Sequence, residues 1–222
     1  MMVYRRPTFP VEIYRDEQDR PIDYGSRWGG ASPPEDAYSR VSNPQRFARL
    51  HLVADALIDW LETTFDVDVD QTLSVTEDLL LLPQDVVRAV RLMPRDPTAA
   101  RLTFVLTRFP GVYLHAGSLH DFHFPACGCD ACDDDVPNLA EELEWTVRTV
   151  VSGGYSERFG PGRGDWIECR LDEPGVGTRS GRIRTEDLPE DRVTAARDAL
   201  PPAGQWSHWP ALPKEKVDGI VG

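Results

Sequence analysis

The stretch LTFVLTRFPGVYLHAGSLHDFHFPACGCDACDDD, residues 102–135, decides how the chain is read. Leu102, Phe104 and Leu106 point one way and Thr103, Val105 and Thr107 the other, the period of two of a β-strand. Phe109-Pro110-Gly111 then reads as a turn, because Pro presets one corner and Gly tolerates positive φ at the next. Val112 to His115 continues as a strand with Val112 and Leu114 inward and His115 beside Tyr113 on the opposite face. Val86 to Met93, just upstream, is a further strand. These segments predict an antiparallel meander.

Two helices flank it. On the upstream side, Asn43 and Pro44 read as a cap and a first-turn proline. Phe47, Leu50, Ala54, Leu57, Ile58, Leu61 and Phe65 follow at helical spacing in one stripe. His51 sits at the edge of that stripe, where a hydrogen-bonded packing role is expected. Downstream, Asn138 to Val151 is the second helix, with Leu139, Leu143, Val147 and Val150 on one side. Asp133, Asp134 and Asp135 precede it, where a helix dipole favours negative charge by about 0.3–1 kcal/mol each. Trp60 and Trp145 fall off their stripes, so either irregular arms cover them or they mark a partner surface.

Beyond the second helix, Trp166 to Leu171 alternates as a strand that Arg179 to Arg184 can pair with, and Glu190 to Leu200 is a short helix stopped by Pro201-Pro202. Residues 1–44 are expected to be an aromatic, Pro-rich arm docked on the core through Tyr4, Phe9, Tyr14, Tyr24 and Trp28. Residues 45–200 read as a single α+β domain and 201–222 as a Pro/Trp-rich tail. The fold class is thus α+β: an antiparallel sheet packed by two amphipathic helices, with a cysteine-rich loop and irregular aromatic arms. In 222 residues, 41% hydrophobic and 27% charged, there is enough apolar material for a proper core, which excludes wholesale disorder.

The chemistry is concentrated at the end of the opening stretch. Cys127, Cys129 and Cys132 are spaced C-x-C-x-x-C, with Gly128 allowing the tight turn. His123 lies four residues before Cys127 and His120 three before that. Zinc takes four N or S donors at tetrahedral corners. The expected site is therefore a structural Zn²⁺ held by Cys127, Cys129, Cys132 and His123, with His120 as the substitute nitrogen ligand. Pro125 favours an extended Phe124 and so a short, stiff link from His123 to the thiols. The neighbouring aspartates oppose thiolate formation, and a divalent cation would relieve that repulsion. Packed thiols without metal, and redox chemistry through a Cys127–Cys129 or Cys129–Cys132 disulfide, are the competing readings. Cys169 alternates with Ile167 and Leu171 and reads as a buried core thiol.

Net charge is −13. Such a surface repels phosphate backbones and no basic patch offsets it, so no nucleic-acid partner is expected, whereas a basic protein partner is. The N-terminus has no secretory h-region and the longest aliphatic run, Leu79 to Leu82, is too short for a bilayer, so a cytoplasmic protein without a membrane anchor is expected. Gly160 to Gly164 lacks the lysine, strand and helix of a P-loop, and reads as a connecting loop. No Gly-x-Ser-x-Gly elbow, His-Glu-x-x-His helix or kinase signature occurs. The leading function is a zinc-stabilised binding or adaptor module. The alternative is a metal-dependent or thiol enzyme using the His/Cys cluster at 115–132, in which His115, His120 and Asp121 would supply a base and its orienting carboxylate.

The segments YRRPTFP, YGSRWGGASPPEDAYS, RFARLHLVADALIDWL and the opening stretch itself, above all Phe-Pro-x-Cys-Gly-Cys-Asp-Ala-Cys, resemble a family of uncharacterised actinobacterial proteins, a domain of unknown function. The resemblance covers about the first 155 residues. It implies a cytosolic bacterial protein and carries no catalytic residues over to this chain.

Overall fold

The computed structural model describes residues 3–161 and 165–213. Five strands, β1 (Val67–Asp70), β2 (Val86–Pro94), β3 (Leu102–Thr107), β4 (Val112–Ala116) and β5 (His120–Phe124), pair in chain order as an antiparallel meander. A second antiparallel sheet consists of β6 (Tyr155–Phe159), β7 (Trp166–Glu173) and β8 (Gly177–Arg184). The helices are α1 (Ala48–Thr64), α2 (Val136–Val151) and α3 (Glu190–Ala199). The class is α+β, as the patterning predicts, but with two sheets and with three strands, β1, β5 and β6, that the periodicity does not disclose.

Alternation along the strands sorts the larger sheet into two faces. Phe104 pairs with Leu114, and Leu114 with Phe122, so these point the same way, onto the apolar stripes of α1 and α2. The residues between them face the other side, where Val75 and Leu79 pack over Ala89 and Val105. Both faces are therefore covered, and all six residues of β3 are buried. His115 belongs to the second face and is fully buried there.

The N-terminus of α1 differs from the expected cap. Asn43 has left-handed backbone (φ 51°) and makes no side-chain cap, and a 3-10 turn, Pro44–Phe47, leads into the helix. The Asn43 amide instead donates to the Tyr24 hydroxyl at 3.2 Å. His51 packs as anticipated, its Nε2 lying 3.1 Å from the Gly111 carbonyl oxygen. At α2 the cap is Asp135, which accepts the Asn138 N–H at 3.3 Å, and Pro137 stands in the first turn.

The irregular ends lie on this core. Tyr4 meets Trp60 edge-on, ring centroids 5.7 Å apart, and its hydroxyl donates to Glu144 at 2.7 Å. Arg6 binds the same carboxylate. Buried Arg46 is stacked over Tyr24, 3.9 Å from the ring centroid. Towards the other end, Trp206 and Trp209 are core residues, and Trp209 Nε1 donates to the Ala100 carbonyl at 2.7 Å. Residues 162–164 of the glycine run and the tail from Lys214 onward lie outside the described residues. Among the described residues no helix is long and apolar enough to cross a membrane.

Candidate metal centre

After β5 the chain passes a cis Phe124–Pro125 bond and closes into a small knob before α2. Gly128 is needed there on two counts. Its φ is +81°, and a Cβ added to it would lie 2.9 Å from Cζ of Phe109. The turn is completed by the Cys132 N–H donating to the Cys129 carbonyl at 3.2 Å. It brings the three sulfurs of Cys127, Cys129 and Cys132 within 4.8 Å of one another. Sulfurs bound at 2.3 Å to a tetrahedral zinc stand about 3.8 Å apart, so the three need only small movements to share one ion. Cys129 is buried, while Cys127 and Cys132 are exposed, leaving the cluster reachable from solvent.

The thiols are not equivalent. Hydrogen bonding from Cys127, and then from the Cys132 backbone, holds the Cys129 thiol below its ordinary value. Partial desolvation of this otherwise exposed thiol, followed by the bond to Cys129, pushes Cys132 up to about 12. Their sulfurs lie 3.5 Å apart. The lowered Cys129 thiol favours metal capture, since each ligand sheds its proton on binding.

Among the described residues that could hold an ion, the cluster consists of these three cysteines, and neither predicted histidine joins it. The reason is the strand the sequence did not disclose. On β5, alternation sends His120 and His123 to opposite sides. The His123 ring packs on Tyr113, centroids 4.5 Å apart, with Nε2 buried and without a hydrogen-bond partner. The His120 ring packs on Phe122 at 4.4 Å, and burial pulls its pKa down to about 4.

The aspartates are placed differently from the simple crowding that the sequence suggests. Asp130 points away from the thiols into the amino-terminal arm and is fully buried. One of its oxygens accepts the Ser42 N–H at 2.7 Å, and the other accepts the Ser42 hydroxyl at 2.7 Å and Arg40 Nε at 2.8 Å. Arg27 adds a charge at 3.4 Å. Burial alone would raise this carboxyl, but the bonds from Ser42 and Arg40 outweigh it and hold the pKa below the usual range. Backbone bonds run alongside, from the Asp130 N–H to the Arg40 carbonyl (2.8 Å) and from the Ala131 N–H to the Ala37 carbonyl (3.1 Å). Trp28 Nε1 donates to the Asp130 carbonyl, and Asp133 accepts the Arg27 N–H at 2.8 Å. The knob and the arm are thus one hydrogen-bonded unit. No local pattern signals it, because Ser42 is 88 residues upstream of Asp130.

The predicted base and carboxylate also meet. His115 and Asp121 face each other across β4 and β5, with Nδ1 2.7 Å from Oδ1. The second Asp121 oxygen accepts the Leu80 N–H at 2.8 Å. His115 Nε2 is buried with no partner among the described residues. Cys169 sits in the core, as its alternation predicts, donating to the Gly181 carbonyl at 3.6 Å, and burial raises its thiol to about 11. A cleft of about 360 Å³ between β5 and β8 is lined by His120, Asp121, His123, Cys169 and Arg179 among others.

One buried acid escaped sequence reading altogether. Glu157, on β6, is fully buried and accepts the N–H groups of Ser118 (2.9 Å), Leu119 (2.8 Å) and Trp206 Nε1 (3.0 Å). It ties the β4–β5 turn to the second sheet and to the tail. Only recognition of YSERF as a strand would have hinted at it, and a charged residue at an inward position hides that pattern.

No curated protein and no solved structure matches the chain significantly. A family described as "Family of unknown function (DUF6226)" matches residues 10–213, which extends the resemblance through the second sheet and the tail. The chain belongs to this family of unknown function.

Proposed function

We propose that the protein is a zinc-stabilised binding module of the cytoplasm. The observation that carries the reading is the convergence of three thiol sulfurs within 4.8 Å on a turn that a glycine at positive φ makes possible. Zn²⁺ would be held by Cys127, Cys129 and Cys132 as thiolates. For the fourth corner we propose His123, whose Nε2 has no other partner, with His120 as the substitute; neither ring lies with the sulfurs, so one would have to swing toward them on loading. A knob this polar gains little from apolar burial, so the ion would supply much of its local order. Because Asp130 links the knob to Ser42, Arg40 and Arg27, order gained at the metal would reach the arm.

The adaptor role rests on charge. A surface of net −13 attracts a basic protein and disfavours nucleic acid. The test is zinc stoichiometry of the purified chain, followed by pull-down at rising salt. One equivalent of zinc together with a salt-sensitive protein partner supports the reading, and tight retention of nucleic acid contradicts it.

A second reading, an enzyme built on the same region, has one observation in its favour. The His115–Asp121 pair has the geometry of an imidazole held by an orienting carboxylate. Against it stands the burial of the whole His115 side chain, which leaves Nε2 out of a substrate's reach. A cross-strand polar pair that fixes the register of β4 and β5 accounts for the same contacts.

A further inference from the structure

Away from the cysteines, a cleft of about 370 Å³ opens between the end of β2, the start of β3 and α3. Among the described residues, its only charged lining residues are Arg101 and Arg192. This is unexpected in so acidic a chain. Much of the remaining wall is apolar, including Pro94, Pro97 and the small side chains of Ala195 and Ala199, with Trp206 closing one side.

The two guanidinium groups are short of anions. Arg192 is fixed by neutral acceptors, its NH1 donating to the Glu77 carbonyl at 2.5 Å and its NH2 to that of Asp78. Arg101 reaches Asp78 at 3.5 Å. That carboxylate is shared with Arg91 at 3.4 Å and already accepts the Thr103 hydroxyl at 2.6 Å. The Arg101 Nε–H is buried and has no acceptor among the described residues. Glu157 lies behind the wall, but its oxygens are occupied by Ser118, Leu119 and Trp206.

We propose that this cleft binds a small organic anion, with a carboxylate or phosphate head against Arg101 and Arg192 and an apolar body against Trp206 and the alanine face of α3. A cavity of this size falls within the usual range for small-molecule sites, which are mostly apolar with a few placed polar groups. Arginine suits either head group, because its fork donates two parallel hydrogen bonds. The assignment is independent of the metal centre.

The experiment is calorimetric titration of the full chain with phenyl phosphate, benzoate and the neutral control benzyl alcohol. At least one anion is expected to bind at least about tenfold more tightly than the alcohol, and the tighter anion identifies the head group. Arg101→Met should weaken that anion by about tenfold or more, and Arg101→Lys should restore part of the loss. Ala199→Trp, on the exposed side of α3, should block the cleft without touching either arginine, with an unchanged melting temperature showing that the fold is intact. Equal binding of alcohol and anion, no binding of either anion, or affinity unchanged in both Arg101→Met and Ala199→Trp would overturn the proposal.

Discussion

The Asp130 carboxylate accepts the Ser42 backbone N–H at 2.7 Å, a bond that fastens the cysteine knob to the end of the amino-terminal arm. Removing the acid leaves the arginines around it without their buried counter-charge. Breaking one side of a buried ionic network typically costs about 3–5 kcal/mol. Asp130→Ala is expected to destabilise the chain at the lower end of that range, as read by urea denaturation. Because the folded pKa is depressed, this stabilisation is present above the ordinary carboxylate pKa and is lost as pH falls through the lower folded value.

The same network predicts where proteases act. In the native protein Arg15 and Arg27 should resist trypsin, since Arg15 is held in a local turn and Arg27 is tied to Asp133, while Arg20 is refractory in any state because Pro21 follows it. Asp130→Ala should open Arg27 to cleavage before Arg49 in α1 or Arg88 and Arg91 in β2. Mass spectrometry of timed digests checks the order of the cuts, and early cleavage at Arg27 in the wild type would show that the arm is free.

Gly128→Ala tests the turn itself. A methyl group would meet Phe109 at 2.9 Å in a left-handed backbone region, so about 1–3 kcal/mol of strain is expected. The thiols should spread, and metal affinity should fall with stability. An alanine variant that melts normally and keeps its metal would show that the turn does not depend on glycine.

His120 supplies a pH dependence. Its folded pKa is pulled by burial to about 4, against an ordinary 6.5, so between those values the unfolded chain holds more protons. Its contribution is therefore full above pH 6.5 and is lost as pH falls towards 4, by about 3 kcal/mol in all. His51 and His123, also lowered by burial, act in the same direction. His120→Phe should flatten part of the acid limb of the stability curve, and chemical denaturation between those pH values measures it. An unaltered limb would mean that His120 is protonated in the fold.

Much of this architecture is legible in the residues themselves. β2, β3, β4 and both long helices follow from apolar spacing, because each has one face committed to the core. The strands that were missed break that rule in identifiable ways. On β1, VDVD alternates in residue type but is short, lies at an edge and leaves Val69 exposed. On β5, the inward positions are His120, Phe122 and Phe124, and a half-buried histidine at the start of the strand hides the apolar alternation. On β6, Glu157 occupies an inward position as a buried acid serving three N–H donors. The cysteine cluster was readable because its members are close in sequence. Asp130 was not, because its partners come from the far end of the chain and a carboxylate carries no mark of what will satisfy it.

The most direct measurement is the zinc content of purified wild type, Cys129→Ser and Cys169→Ser, each with melting in the presence and absence of chelator. The account predicts about one equivalent of zinc in wild type and Cys169→Ser, none in Cys129→Ser, and chelator-sensitive melting only where zinc is bound. Wild type with less than about a tenth of an equivalent of any metal, and melting indifferent to chelator, would contradict it and leave the three cysteines as packed thiols.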